Sequence, residues 1–293
     1  MGGTSTAYGV KWTDGETILG LGSLVAFLMV SMLAVVTEQW KLLAIAWVAF
    51  GGMAGGALFG ARVDDRRPTK LVWGYGLASG AMITSASVFL VPQAIGQHGK
   101  VGGFGIAAGV LVGYNAHTIG HRLTHLELPM DTTATELAAH ALSAGLIIGV
   151  IYGAMPELGL LLGLAIVSHK GPAGYAAARR STLAGGSALP ILLPAAGVGL
   201  TAIPVATVAF PDSAVFNAAV FGFASGVFLH VAMDFLPTCE VGGEIDRLSD
   251  HDGAHAAHDD HAHATLDRMR THALVSTTLG GLAVFVAWLA VAG

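Results

Sequence analysis

The segment TILGLGSLVAFLMVSMLAVVT, residues 17–37, decides the fold class because it contains no charged residue. A helix needs roughly 20 mostly apolar residues to cross the hydrocarbon core of a bilayer. The segment is continuously apolar and does not alternate, which is the pattern of a spanning helix and not of a membrane β-strand. We therefore predict that it crosses a membrane as a helix.

The rest of the sequence repeats this pattern. Of the 293 residues, 54% are apolar and only 11% are charged, and the mean hydropathy is +0.67. These values lie outside the usual range of soluble domains, and the 41 glycines favour close helix packing. We predict an all-α polytopic membrane protein, a single transmembrane domain over 1–293 built as a helical bundle of about nine transmembrane helices. The predicted spans are 17–37, 42–62, 71–95, 102–121, 134–154, 157–178, 185–208, 213–236 and 272–292.

The distribution of basic residues predicts the orientation, because cytoplasmic loops carry an excess of Lys and Arg. With nine spans, only Lys41 and Lys100 fall on the side opposite the N-terminus. The basic residues on the N-terminal side are Lys11, Arg62, Arg66, Arg67, Lys70, Arg122, Arg179, Arg180, Arg247, Arg268 and Arg270. We therefore expect a multi-pass protein of the cytoplasmic membrane, with its N-terminus in the cytoplasm and its C-terminus outside.

Five ionisable residues stand out deep in the predicted spans: His140, His169, Lys170, His230 and Asp234. A charged residue at the centre of a span costs about 2.5–3.5 kcal/mol on insertion scales, so such residues are candidates for a functional site. At about 1.5 Å per residue, all five fall in the cytoplasmic half of the bilayer. Two structural interpretations stay open: interhelical hydrogen bonds for the histidines, and an ion pair of Lys170 with a carboxylate.

A second group of histidines lies in the predicted cytoplasmic loop 238–271. This loop is rich in His and Asp and cannot form a core, which is typical of a metal-binding segment or of a soluble acidic linker. Its candidate metal ligands are His251, His255, His258, His261 and His263.

Four stretches between residues 70 and 290 resemble helix motifs of the ZIP (Zrt/Irt-like) family of divalent metal transporters, in particular its prokaryotic branch. GYGLASGAMITSASVFLVPQA is similar to a third span that ends in Leu-x-Pro, and HALSAGLIIGV resembles the His-Asn-x-Pro-Glu-Gly helix. SHKGPAGYAAA resembles the helix that follows, and GFASGVFLHVAMDFLP resembles the Gly-x-Phe-Leu-Tyr-Val-Ala helix. The order and spacing of these motifs carry the resemblance.

The resemblance implies a two-metal site from which most oxygen ligands are missing here. His140 and His169 keep the first position of the paired motifs, and Asp234 keeps the acidic position of the eighth helix. The positions that have lost the family's Asn or acidic residue are Ala141, Ala144, Lys170, Ala173 and, near Pro194, Leu193. A second divalent ion beside an ammonium group is unfavourable, so Lys170 is expected to replace that ion and to pair with Asp234 or another carboxylate.

From this resemblance we expect a carrier that moves Zn²⁺ or a similar first-row ion toward the cytoplasm through a mononuclear or altered site. Its predicted metal ligands are His140, His169, His230 and Asp234. The predicted pathway residues are Met82, Lys170 and Pro172. The metal is substrate and not cofactor, no enzymatic activity is expected, and the predicted partners are the ion and the lipid bilayer. Nucleic acid is not an expected partner, and a homodimer stays open.

Three other functions are considered. A ZIP-like protein that has lost divalent-metal transport could move another solute, act as a sensor or serve as a partner subunit. A photoreceptor could use Lys170 to bind retinal, but most tryptophans lie near span ends and give no aromatic pocket. A membrane metalloprotease lacks support because the sequence contains no His-Glu-x-x-His motif.

Overall fold

The computed structural model describes residues 15–62, 68–123, 130, 132–154, 159–211, 213–236 and 259–292. The α-helices in these ranges are α1 (Gly15–Val36), α2 (Trp40–Arg62), α3 (Pro68–Ser85), α4 (Val91–Leu123), α5 (Thr132–Ala154), α6 (Gly159–Leu183), α7 (Leu192–Val205), α8 (Ala214–Asp234) and α9 (Asp259–Ala292). A π-helical turn (Ala86–Leu90) joins α3 to α4, and a 3₁₀ turn (Leu189–Ile191) precedes α7. The described part of the chain contains no strand, which agrees with the predicted all-α class.

Within the described ranges, six helical segments are long and apolar enough to cross a membrane. They are Gly15–Val36, Trp40–Arg62, Thr69–Asn115, Ala134–Ala154, Ala214–Asp234 and Asp267–Ala290. This is the architecture of a multi-pass integral membrane protein. The stretch Leu189–Val205 is apolar but shorter, and α6 is not among the six.

The long segment Thr69–Asn115 is not one straight helix. His98 has φ −162° and ψ 99°, which is extended backbone inside α4. A methyl group on Gly102 would collide with the Ala94 carbonyl, although eight residues of straight helix would separate these positions by about 12 Å. The chain therefore turns back at His98, whose Nδ1 accepts a hydrogen bond from the Val101 N–H at 3.3 Å.

The π-helical turn between α3 and α4 follows from a proline. Pro92 has no N–H to donate, so the α-helical ladder cannot continue through it unchanged. The Val91 N–H instead reaches back five residues to the Ala86 carbonyl. Phe89 and Leu90 of this turn are buried, so the widened backbone lies inside the bundle.

The helices pack in pairs through small residues. The main pairs are α4 with α8, α3 with α9, α2 with α6, and α5 with α7, whereas α5 and α6 touch each other little. In the α4–α8 pair, a methyl group on Gly109 would lie only 2.9 Å from the Gly226 Cα. In the α2–α6 pair, a methyl group on Gly60 would lie 3.2 Å from the Tyr175 Cα. Small side chains allow this backbone contact, as expected in a membrane where van der Waals packing drives association.

The fraction of buried residues distinguishes the inner helices of the bundle from the outer ones. In the most apolar stretches of α5 and α8, 61% and 56% of the residues are buried. The corresponding fraction is 28% in both α1 and α2 and 22% in α9. The outer helices expose large apolar side chains such as Met29, Phe59 and Leu282. These exposed side chains suit a lipid environment, in which apolar surface has no cost.

One predicted boundary is corrected. The loop was expected to run over 238–271, but α9 begins at Asp259, so the end of that segment is helical. His261 and His263 therefore belong to α9, whereas His251, His255 and His258 lie outside the described residues. Hydropathy detects only the apolar part of a spanning helix. The first residues of α9 are polar, so the start of this helix was not predicted.

Candidate functional site

The centre of the candidate site is a pair of histidines on two inner helices. His140 on α5 is 6% exposed and His169 on α6 is 2% exposed. Their ring centroids are 6.1 Å apart, with an angle of 56° between the ring planes. Metal–nitrogen bonds of about 2.0–2.1 Å to one ion place two imidazole nitrogens roughly 3–4 Å apart. The two rings are therefore close enough for one nitrogen of each to share an ion after side-chain rotation.

His140 has unused hydrogen-bonding capacity. Neither its Nδ1 nor its Nε2 has a hydrogen-bond partner among the described residues, and both atoms are buried. A neutral imidazole offers one donor and one acceptor, and leaving a buried polar group unsatisfied costs about 1–3 kcal/mol. This arrangement suits an imidazole whose nitrogen binds a metal ion or another bound solute.

Phe228 on α8 completes the apolar surroundings of the pair. Its ring centroid lies 5.5 Å from that of His140 and 5.7 Å from that of His169, edge to face in both cases. Phe228 was not among the residues predicted from the sequence, because a phenylalanine in an apolar helix carries no signal of its own. Its position two residues before His230 in the same motif could have drawn attention to it.

His230 and Asp234 form a separate pair on α8. The His230 Nε2 lies 3.1 Å from the Asp234 Oδ2, and the Asp234 side chain is 39% exposed. The His230 ring lies edge to face with Tyr114 of α4, with centroids 6.4 Å apart. Residues 228 and 230 differ by about 200° around a helix, so the face that meets α4 is not the one that meets His140.

The four predicted metal ligands thus come together as two pairs and not as one cluster. Among the described residues, no group of three or more His, Cys, Asp or Glu side chains is placed to hold a metal ion. The similar predicted depth of these residues in the membrane is consistent with a single site. The rotation of α8 about its own axis, however, directs His230 away from the pair formed by His140 and His169.

Lys170 is one of the largest fully buried side chains, at 1% exposure. A methyl group on Gly52 of α2 would lie 3.8 Å from the Lys170 Cβ, so this side chain starts from the face of α6 that packs on α2. The ammonium group is close enough to act on His140 electrostatically. The expected ion pair with Asp234 is not formed, since Asp234 pairs with His230 and no described acidic residue pairs with Lys170.

Three of the five positions that differ from the ZIP motifs are apolar and buried. Ala141, Ala144 and Ala173 are at most 2% exposed, and they place methyl groups where the motifs carry amide or carboxylate oxygens. Met82, the predicted thioether of the pathway, is 1% exposed and belongs to the same apolar cluster as Ala173. These positions offer no oxygen ligands to a cation, so the two imidazoles suit borderline first-row metals better than hard cations that need oxygen.

Pro172 and a pair of serines shape α6 beside the histidine. Because Pro172 has no N–H, the Ser168 carbonyl four residues earlier loses its helical hydrogen-bond donor. The Ser168 hydroxyl lies 3.2 Å from the Ser85 hydroxyl at the end of α3, directly before the π-helical turn. Two departures from regular helix thus flank this contact, one on α3 and one on α6.

The chain matches no protein-family model, and no curated protein matches it. The likeness to ZIP transporters accordingly remains a resemblance of motifs.

Proposed function

We propose that this protein is a nine-helix membrane carrier, similar to the ZIP family, that moves Zn²⁺ or another divalent first-row ion toward the cytoplasm. The observation that carries the proposal is the buried pair His140 and His169, whose rings lie side by side on two helices. Imidazole is a preferred ligand of first-row transition metals, and the predicted motifs place both residues at ligand positions.

Three features of the helices support nine spans. Six segments are long and apolar enough, and the one that contains His98 turns back on itself and supplies two crossings. Helix α6 has 25 residues, and the shorter apolar stretch Leu189–Val205 lies beside it in sequence. With nine spans, the excess of basic residues lies on the side of the N-terminus, which we assign to the cytoplasm.

In the proposed mechanism, the histidine pair binds the divalent ion only weakly. Two imidazoles without carboxylates hold a divalent ion less tightly than a full tetrahedral site, because structural zinc sites use four protein ligands. Lys170 lowers the affinity further by repelling the ion. A carrier benefits from such a site, since an ion that binds too tightly leaves slowly. Pro172 lies about one helical turn after His169 in the sequence of α6. It leaves the Ser168 carbonyl without its helical hydrogen-bond donor, and the broken helices that line transporter sites also carry such free backbone groups.

Lys170 also favours a second candidate function. A buried ammonium group beside two histidines, without an acidic partner among the described residues, suits a protein that has lost divalent-metal transport. Such a protein would use the same helices for another solute or as a sensor. Transport measurements on the purified protein distinguish these two functions.

The test is zinc uptake by liposomes that contain the purified protein. His140→Ala and His169→Ala should each lower the initial uptake rate by about tenfold or more, because changes even in the groups that orient metal ligands cost about 10–100-fold. His272→Gln, a partly buried histidine of α9, serves as the matched control and should stay within about twofold of the parent. Absence of uptake by the parent supports the second candidate, and parent-like uptake by both alanine variants contradicts the proposed site.

A gain-of-function variant tests whether these helices resemble the family's metal site. Ala144→Glu, Lys170→Asp and Ala173→Glu together restore three carboxylates near the histidine pair. We expect zinc to bind at least about tenfold more tightly to this variant in detergent, as measured by calorimetry, because oxygen ligands complete the coordination. The triple Gln, Asn and Gln variant at the same positions controls for side-chain size. Binding no tighter than the control, in a variant that elutes as a folded species, contradicts the resemblance.

A further inference from the structure

A groove of about 600 Å³ lies on the surface between α2, α3 and α6, and neither His140 nor His169 lines it. Phe59, Leu77 and Tyr175 contribute its apolar walls, and the rings of Phe59 and Tyr175 lie 5.9 Å apart. Gly171 and Pro172 of α6 form part of its floor. The groove is thus mostly apolar and open toward the position that lipid occupies around a membrane protein.

Small residues keep this groove open. Gly56, Gly74 and Gly171 line it without side chains that could fill it. The backbones of α2 and α6 meet here, since a methyl group on Gly56 would collide with the Gly171 carbonyl. Because α2 and α6 approach each other closely at these glycines and no side chain fills the adjacent space, a groove remains beside their contact.

One end of the groove is polar and basic. Thr69, Lys70 and Trp73 line it in the first two turns of α3, and Lys70 is exposed. Arg62 is exposed in the last turn of α2, six residues before α3 begins. Trp73 donates a hydrogen bond from its Nε1 to the His272 Nδ1 at 3.3 Å. A tryptophan beside basic residues at a helix end is typical of the level of lipid headgroups.

The lengths also agree with a lipid. From Lys70 to Leu77 the groove follows α3 for about 10 Å, at about 1.5 Å per residue. This distance covers much of one leaflet, whose hydrocarbon region is about half of a core roughly 30 Å thick. The described charged residues at this end, Arg62 and Lys70, are both basic, so the polar end carries positive charge.

We infer that this groove binds an anionic phospholipid of the cytoplasmic leaflet. One acyl chain lies along Phe59, Leu77 and Tyr175, and the phosphate of the headgroup lies at Lys70. Charge complementarity selects the occupant, because basic pockets between spanning helices on the cytoplasmic side bind acidic headgroups. The inference does not depend on metal transport. The bound chain packs on Gly171 and Pro172, which directly follow His169 and Lys170 in α6.

Fluorescence quenching by brominated lipids tests the inference, because Trp73 lines the groove. The probe is a single-tryptophan protein in which the other four tryptophans are replaced by phenylalanine: Trp12, Trp40, Trp47 and Trp288. It is placed in vesicles that contain brominated phosphatidylglycerol or brominated phosphatidylcholine. We expect phosphatidylglycerol to quench Trp73 at a lower mole fraction than phosphatidylcholine does.

The variants identify the headgroup contact. Lys70→Gln should lower the preference for phosphatidylglycerol by about fivefold, the effect of one basic residue near an acidic surface. Lys70→Arg should keep the preference, and Lys41→Gln, at the opposite end of α2, should not change it. Equal quenching by the two lipids overturns the inference, because it shows ordinary contact with bulk lipid. A preference that survives Lys70→Gln also overturns it. Mass spectrometry of the intact protein in detergent should show one retained phosphatidylglycerol on the parent and a clearly smaller lipid-bound fraction on Lys70→Gln.

Discussion

Replacing Lys170 with methionine should make the protein more stable. Lys170 is 1% exposed, and no described acidic residue pairs with its ammonium group. Methionine keeps an unbranched side chain of similar length, so the substitution removes the charge without opening a large cavity. A lysine at the centre of a span costs about 2.5–3.5 kcal/mol, and most of this cost should be recovered.

The expected shift in unfolding temperature follows from the size of the chain. Unfolding entropy is about 2.1 cal/mol/K per residue, or roughly 0.6 kcal/mol per degree for a chain of this length. A gain of about 2.5–3 kcal/mol therefore raises the midpoint by about 4–5 °C. The measurement is thermal unfolding of the purified protein in detergent, followed by intrinsic fluorescence.

The control for this prediction is Lys41→Met. Lys41 is exposed at the start of α2, and its replacement should shift the midpoint by less than about 1 °C. A lower midpoint for Lys170→Met would refute the reasoning. It would show that an acceptor outside the described residues holds the ammonium group, because removing one partner of a buried pair costs about 3–5 kcal/mol.

Three further predictions concern packing and topology. Gly226→Leu should destabilise the protein by about 3 kcal/mol, because the new Cβ would collide with the Ile106 carbonyl. The control is Gly51→Leu, whose Cβ would have no neighbouring atom within 4 Å, and it should leave the unfolding midpoint within about 1 °C of the parent. A cysteine at position 257 in a Cys239→Ser background should react with an impermeant maleimide only after cell lysis; labelling of intact cells would contradict the cytoplasmic loop. Deleting 250–258 should leave the elution volume and unfolding midpoint unchanged and lower zinc uptake by at most about twofold, since the sequence of this segment contains no large apolar residue.

Hydropathy was sufficient to locate most helices. The predicted spans 17–37, 42–62 and 134–154 agree with α1, α2 and α5 to within a few residues. His98, where the chain turns back, falls between the predicted spans 71–95 and 102–121. The start of α9 was missed because the polar residues from Asp259 onward give no apolar signal.

The candidate site could be predicted only in part. The rise per residue placed His140 and His169 at similar depth, and their rings do lie close together. The rotation of each helix was not predictable, because a span that is apolar on every side has no stripe to mark its inner face. His230 therefore entered the predicted ligand set although Phe228 is the residue of α8 that meets the histidine pair.

The pairing of the helices has a mechanical consequence for the two histidines. His140 belongs to the α5–α7 pair and His169 to the α2–α6 pair, and α5 and α6 make few contacts of their own. The two pairs also pack on each other through α2 and α7, so the distance between the two imidazoles depends on how the pairs pack together. An ion held by both rings would add a direct link between α5 and α6 where these helices make few contacts of their own, and its release would remove that link.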